Sequence, residues 1–155
     1  MFEKILVPLD GSEHSLKALD KAVQIAKRFG GKITLVNVYS VSVQPLLLPE
    51  PTVAGVPTMP VLTAAEITRI GESARSVGRR ILDDGAEKAK EEEVKTEKIL
   101  VEGHAVQEIV KLAKEGDFGL IVIGARGLSK IREILLGSVS DGVIHHASCP
   151  VLVVK

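Results

Sequence analysis

The chain has 155 residues with 20 basic and 20 acidic side chains, so its formal charge is zero and it offers no electrostatic footprint for a nucleic acid. Hydrophobic residues make up 45% but aromatic ones only 3%, namely Phe2, Phe29, Tyr39 and Phe118, which removes base-stacking platforms and demands an aliphatic core. The lone Cys149 cannot form an internal disulfide, no apolar run nears the ~18 residues of a membrane span, and Met1 to Asp10 reads as a strand rather than a cleavable signal; the expectation is a cytoplasmic protein with no membrane partner, one domain over residues 1–155.

Lys4 to Leu9 (KILVPL) is a short apolar run closed by Asp10-Gly11-Ser12, and Leu16, Leu19, Ala22, Val23 and Ala26 then recur with helical period. Phe29-Gly30-Gly31 ends that helix, and Lys32 to Val38 (KITLVNV) is a second β-branched strand, completing a βαβ unit. Continuous rather than alternating apolar strands point to a sheet covered on both faces. From Tyr39 to Thr63 the pattern breaks down, with Pro45, Pro49, Pro51, Pro57 and Pro60 leaving no regular element. This reads as a mobile excursion or lid whose Leu46, Leu47, Leu48, Val53, Val56 and Met59 suit docking onto a neighbour.

Ala64 to Glu93 reads as a long helix with Ile67, Ile70, Ala74, Val77 and Ile81 on one stripe, and with Gly71, Gly78 and Gly85 repeating beside it. Those glycines mark either a close approach of another backbone or tolerated surface positions. Val94 to Val101 is a third strand. A Gly103-His104 turn leads into a helix carrying Val106, Ile109, Val110, Leu112 and Ala113, and Phe118 to Ile123 is a fourth, fully buried strand. Gly124-Ala125-Arg126-Gly127, a stretch Leu128 to Leu136, Gly137-Ser138, a helix to about Ala147 and a strand Val151 to Val154 complete the chain. Five strands alternating with helices predict an α/β three-layer sandwich with a parallel sheet of order 3-2-1-4-5.

Ligands of such sheets bind outside the carboxyl ends of the strands where the order reverses, here between the first and fourth strands. Those strands end in the two distinctive loops, Pro8-Leu9-Asp10-Gly11-Ser12 and Gly124-Ala125-Arg126-Gly127. Ser138 is placed to cap the last helix with Asp141 as its reciprocal partner, and the N–H groups of that helix start suit a phosphate. Neither GxxxxGK[ST] nor GxGxxG is present, so this is no P-loop protein and no standard dinucleotide binder.

The spacing Gly124-x2-Gly127-x9-Gly137-Ser138 resembles that of the universal stress protein family, in the branch whose G-x2-G-x9-G-[ST] motif binds ATP. The resemblance runs from the opening KILVPLDGSEHS through the Gly103 turn, the VIGARG loop and ILLGSVS to the closing CPVLVVK. It implies the adenine nucleotide alpha hydrolase-like fold, ATP with Mg²⁺ held through its phosphates, and a homodimer, commonly through edge strands. It further implies that Pro8, Leu9, Asp10 and Val38 border the adenine and ribose, that Ile123 and Gly124 form the floor, and that Gly127, Gly137, Ser138, Val139 and Ser140 hold the phosphates. The family shares Pro8, which therefore belongs at the end of its strand.

Arg126 lies in the glycine loop, where it reaches either a phosphate or solvent. His145 and Cys149 form an i, i+4 pair of zinc-ligand type, but no further ligand pair is near and a buried structural thiol is the better reading. Asp10 as a phosphoacceptor lacks the acidic pair and lysine of a receiver site, and His14 and His104 have no visible acid or nucleophile beside them. With no convincing general base, the implied function is a nucleotide-dependent stress-response sensor or regulator with an unknown protein partner. A nucleotide-free interaction module and a slow ATP hydrolase or phosphotransferase are the alternatives.

Overall fold

The computed structural model describes residues 2–41, 62–128 and 136–155, so the docking residues of the proline-rich excursion and most of the Leu128–Leu136 stretch lie outside the described residues. The elements follow as β1 (Lys4–Pro8), α1 (Glu13–Phe29), β2 (Lys32–Tyr39), α2 (Ala64–Glu91), β3 (Thr96–Glu102), α3 (Ala105–Glu115), β4 (Leu120–Gly124), α4 (Ser138–His146) and β5 (Val151–Val154). All pairings are parallel, and the five-stranded sheet has the order β3-β2-β1-β4-β5, as expected from the sequence. The third and fourth strands begin two residues later than their apolar runs do.

Alternation along the strands sorts the aliphatic side chains into two buried layers. Ile5, Val7, Ile33, Leu35, Leu120 and Val122 pack with α1 and α2, while Leu6, Val36, Ile121 and Ile123 pack with Ile109 and Ala113 of α3 and Val143 of α4. Helix α1 starts where Ser12 Oγ accepts the Ser15 N–H at 3.2 Å and stops at Gly30, whose φ of 68° is the left-handed conformation that glycine adopts without strain. Its inner face is Ala18, Leu19, Ala22, Val23 and Ala26; Leu16, which shares the period, is 37% exposed.

Helix α2 opens with a capping box in which Thr63 N–H donates to Glu66 Oε2 at 2.7 Å and Thr63 Oγ1 accepts the Glu66 N–H, holding the Glu66 carboxyl below its usual pKa. Its apolar stripe behaves differently from the expectation. Ile67, Ile70 and Val77 are exposed, and burial begins at Gly78, continuing through Leu82, Gly85 and Ala89. The reason is length: 28 residues span about 42 Å at 1.5 Å each, whereas the eight residues of β2 span about 26 Å, so the amino-terminal half of α2 overshoots the sheet. The glycine stripe is resolved in the same way. A Cβ at Gly85 would meet Leu9 Cδ1 at 2.6 Å, so Gly78 and Gly85 admit side chains of the sheet rather than another backbone.

This division of α2 makes a testable contrast. Leu82→Ala, in the packed half, is expected to cost about 2–4 kcal/mol in denaturant unfolding, and Ile70→Ala, in the overshoot, no more than about 0.5 kcal/mol.

Candidate functional site

The central strand parts from one neighbour before the other. β1 pairs with β2 as far as Pro8↔Val36, but with β4 only at Ile5↔Leu120 and Leu6↔Ile121, although β4 runs on beside β5 to Gly124↔Val154. Gly119 N–H donates to the Lys4 carbonyl and Leu9 N–H to that of Val36, so the alternating backbone groups of Lys4, Leu6 and Pro8 face β4. Proline has no N–H to offer there, and the ladder between β1 and β4 stops. A crevice opens at that point, the switch point of the sheet.

The crevice is a cavity of about 270 Å³, and every site residue inferred from the sequence lines it. Pro8, Leu9 and Asp10 come from the end of β1, Val38 from β2, and Ile123 and Gly124 from β4. Arg126 and Gly127 follow β4, and Gly137, Ser138, Val139 and Ser140 form the start of α4. One end of the cavity is thus aliphatic and the other is backbone-rich. A larger depression of about 770 Å³ lies at the opposite edge of the sheet, but it is ringed by mixed charges such as Lys32, Glu87, Lys90 and Glu93.

Two loops meet at the polar end. Asp10 Oδ1 accepts the Ser12 N–H at 2.9 Å, and a Cβ at Gly127 would stand 2.6 Å from Asp10 Oδ2, so only glycine lets the second loop pass over this carboxylate undisturbed. Gly137 N–H donates to the Ala125 carbonyl at 2.8 Å, and Ser140 Oγ lies 2.9 Å from the same carbonyl and 2.8 Å from that of Gly137. Ser140 is 2% exposed, and its hydroxyl ties the loop after β4 to the start of α4.

The expected cap of α4 is corrected by this geometry. Gly137 is the N-cap, in an extended conformation (φ −66°, ψ 152°), and no side chain caps the helix. Ser138 is already the first helical residue and is exposed, so its hydroxyl is one position too late for the reciprocal bond with Asp141. Among the described residues the first N–H groups of α4 therefore have no side-chain acceptor, and the positive end of the helix dipole faces the cavity.

Sequence reasoning missed Ser15, Val36, Ala105, Ile109 and Leu128, which also line the cavity. Val36 was within reach of it, because residues two apart on a strand share a face. Ala105 and Ile109 arrive from α3, and only tertiary packing brings that helix to the crevice. The histidine and cysteine readings also become concrete. α4 ends at His146, so Cys149 is not on its face, and the Nδ1–H groups of His145 and His146 donate to the carbonyls of Asp141 and Gly142 one turn back.

Comparison with known proteins shows the family and the fold. The model of the universal stress protein family matches residues 1–155. Universal stress protein YxiE of Bacillus subtilis is 37% identical over 155 residues, covering the whole of both chains. Among solved structures, hypothetical protein MJ0577 superposes with a TM-score of 0.81 at 25% identity, covering 100% of this chain and 96% of that one. A universal stress protein solved in complex with cAMP superposes with a TM-score of 0.68 at 29% identity, covering 99% of this chain and 97% of that one.

Burial pushes the Cys149 thiol above its usual pKa, so less of it is thiolate at a given pH. Its alkylation by iodoacetamide at pH 8 is expected to be slower than that of an unstructured cysteine peptide, and to reach the peptide's rate on unfolding in urea.

Proposed function

This chain belongs to the universal stress protein family, and on that premise we propose that it binds an adenine nucleotide, specifically ATP, at the carboxyl edge of its sheet, as a member of the branch with the G-x2-G-x9-G-[ST] motif. The observation that carries the reading is the convergence, in one cavity, of aliphatic walls with the loops bearing Gly127 and Gly137 and the uncapped start of α4. Val38 and Ile123 suit a flat, apolar base in a chain without tryptophan, Ala105 and Ile109 close that wall, and Leu9, whose side chain packs toward α2, borders it. Asp10 supplies an acceptor for ribose hydroxyls.

The backbone N–H groups of Gly127, Ser138, Val139 and Ser140 suit the phosphates, a role in which clustered lysines are not needed. Ser140 contributes its N–H while its hydroxyl keeps the loops together. Arg126, the cation of this lining, adds charge beside the phosphates. Mg²⁺, when bound, offsets phosphate charge and is held through the nucleotide rather than by a cluster of protein ligands. The cAMP complex of the 29% identical structure supports recognition of the adenosine portion shared by cAMP and ATP. The chain acts as a cytoplasmic, homodimeric sensor or regulator of the stress response, with two copies pairing through an edge strand of the sheet, β3 or β5.

Calorimetry with ATP and Mg²⁺ tests the reading, with AMP and cAMP as competitors. Saturable binding is expected, and no heat together with no nucleotide carried through purification would sink it. At Gly137 the backbone conformation is open to any residue and an added Cβ meets Ala125 O and Arg126 Cα at ordinary contact distance, 3.4 Å, so Gly137→Val is expected to fold, with its melting temperature as the check. It should weaken ATP binding by more than about tenfold, since bonds to charged phosphate oxygens are worth about 1.5–3 kcal/mol each. Native mass spectrometry reads the dimer.

A further inference from the structure

We propose that Asn37 is a positioning residue for the nucleotide site, holding the end of β1 from the face of the sheet opposite the cavity. The inference rests on the nucleotide reading above and names a residue outside the cavity lining. Val36 and Val38 turn toward the cavity, so Asn37 between them turns toward α2, where it is 6% exposed. Its Nδ2 donates to the Leu9 carbonyl at 2.7 Å. β1 ends at Pro8, so this carbonyl lies beyond the last paired residue and takes its donor from a side chain. The Leu9 N–H donates to the Val36 carbonyl at 2.8 Å, and both polar groups of Leu9 are thereby tied to β2. Leu9 borders the cavity although its side chain packs toward α2, and Asp10, the carboxylate under Gly127, is the next residue.

The other side of Asn37 explains why the arrangement needs α2. A Cβ at Gly78 would collide with Asn37 Oδ1, and it would come within 2.7 Å of Leu100 Cδ1, the movable end of a side chain. Gly78 is therefore the space into which the carboxamide fits. Its neighbours on this face are mostly aliphatic, Leu35, Leu82 and Leu9 among them, and a buried carboxamide there is unfavourable unless it is hydrogen-bonded. A leucine would fill the volume without that cost, but it would leave the Leu9 carbonyl without a donor.

The test compares Asn37→Ala, Gly78→Ala and the double variant in the full chain, by ATP calorimetry, melting temperature and amide hydrogen exchange. Asn37→Ala removes the donor and leaves a hole; Gly78→Ala puts a methyl where Oδ1 stands and turns the carboxamide away; in the double variant the methyl occupies the hole. Both single variants are expected to melt lower and the double variant to regain most of that loss. ATP affinity is expected to fall by about tenfold in all three, the equivalent of one lost hydrogen bond, with no recovery in the double variant. Recovery of affinity along with stability would show that Asn37 only fills space and would overturn the proposal. If the unmodified chain binds no ATP, the nucleotide reading itself fails. Exchange at residues 9–12 then decides separately: faster exchange in the double variant with α3 unchanged supports the holding role, and unchanged exchange refutes it.

Discussion

Everything at the functional end of this molecule depends on the central strand serving two neighbours that diverge. β1 is hydrogen-bonded to β2 along its whole length but leaves β4 after Leu6, at the approach to Pro8. A parallel sheet buried on both faces has no free volume of its own, because its strands are covered by aliphatic layers that interdigitate. Volume for a ligand arises only where the ladder stops and the connections turn to opposite sides. Here the N–H missing at Pro8 falls where the β1–β4 ladder stops.

The buried polar residues are distributed according to the same constraint. Ser12, Ser15, Asn37 and Ser140 all lie at the carboxyl end of the sheet, and each is hydrogen-bonded to backbone. Among the described residues the core elsewhere is aliphatic apart from Thr34, inside the ladder of β2. Backbone that leaves the ladder must find partners or be penalised for burial, and these four short side chains supply them to the loops after β1 and β4. The outcome is a cavity whose described loop residues are tied by hydrogen bonds to the elements beside them. Such preorganisation lowers the ordering cost of binding.

Charge neutrality also takes on a more specific meaning. It remains an argument against a nucleic-acid surface, where dispersed phosphates are met by clustered lysine and arginine. A single compact polyphosphate poses a smaller problem. Amides at glycine positions and at an uncapped helix start present partial positive charge without changing the net charge of the chain. The scarcity of aromatic residues is matched by aliphatic walls at Val38, Ile109 and Ile123.

The order and type of the elements, the strand order 3-2-1-4-5 and the two glycine-bearing loops were all legible in the sequence, because they follow from period, turn chemistry and the handedness of parallel connections. The family resemblance carried by the spacing of Gly124, Gly127 and Gly137 implied that their loops share one site. What the sequence left undetermined were relations that have no period. A 3.6-residue repeat shows which face of α2 is apolar, but not that the sheet ends before Val77. A serine after a glycine looks like a cap until the dihedral angles make Gly137 the cap and Ser138 the first helical residue. Ala105 and Ile109 are ordinary helix residues until α3 is laid against the crevice, and Asn37 is an ordinary strand residue until Pro8 ends its neighbour. Local pattern determines what each segment becomes; which groups are left without a backbone partner, and which side chain reaches them, is decided only when the segments meet.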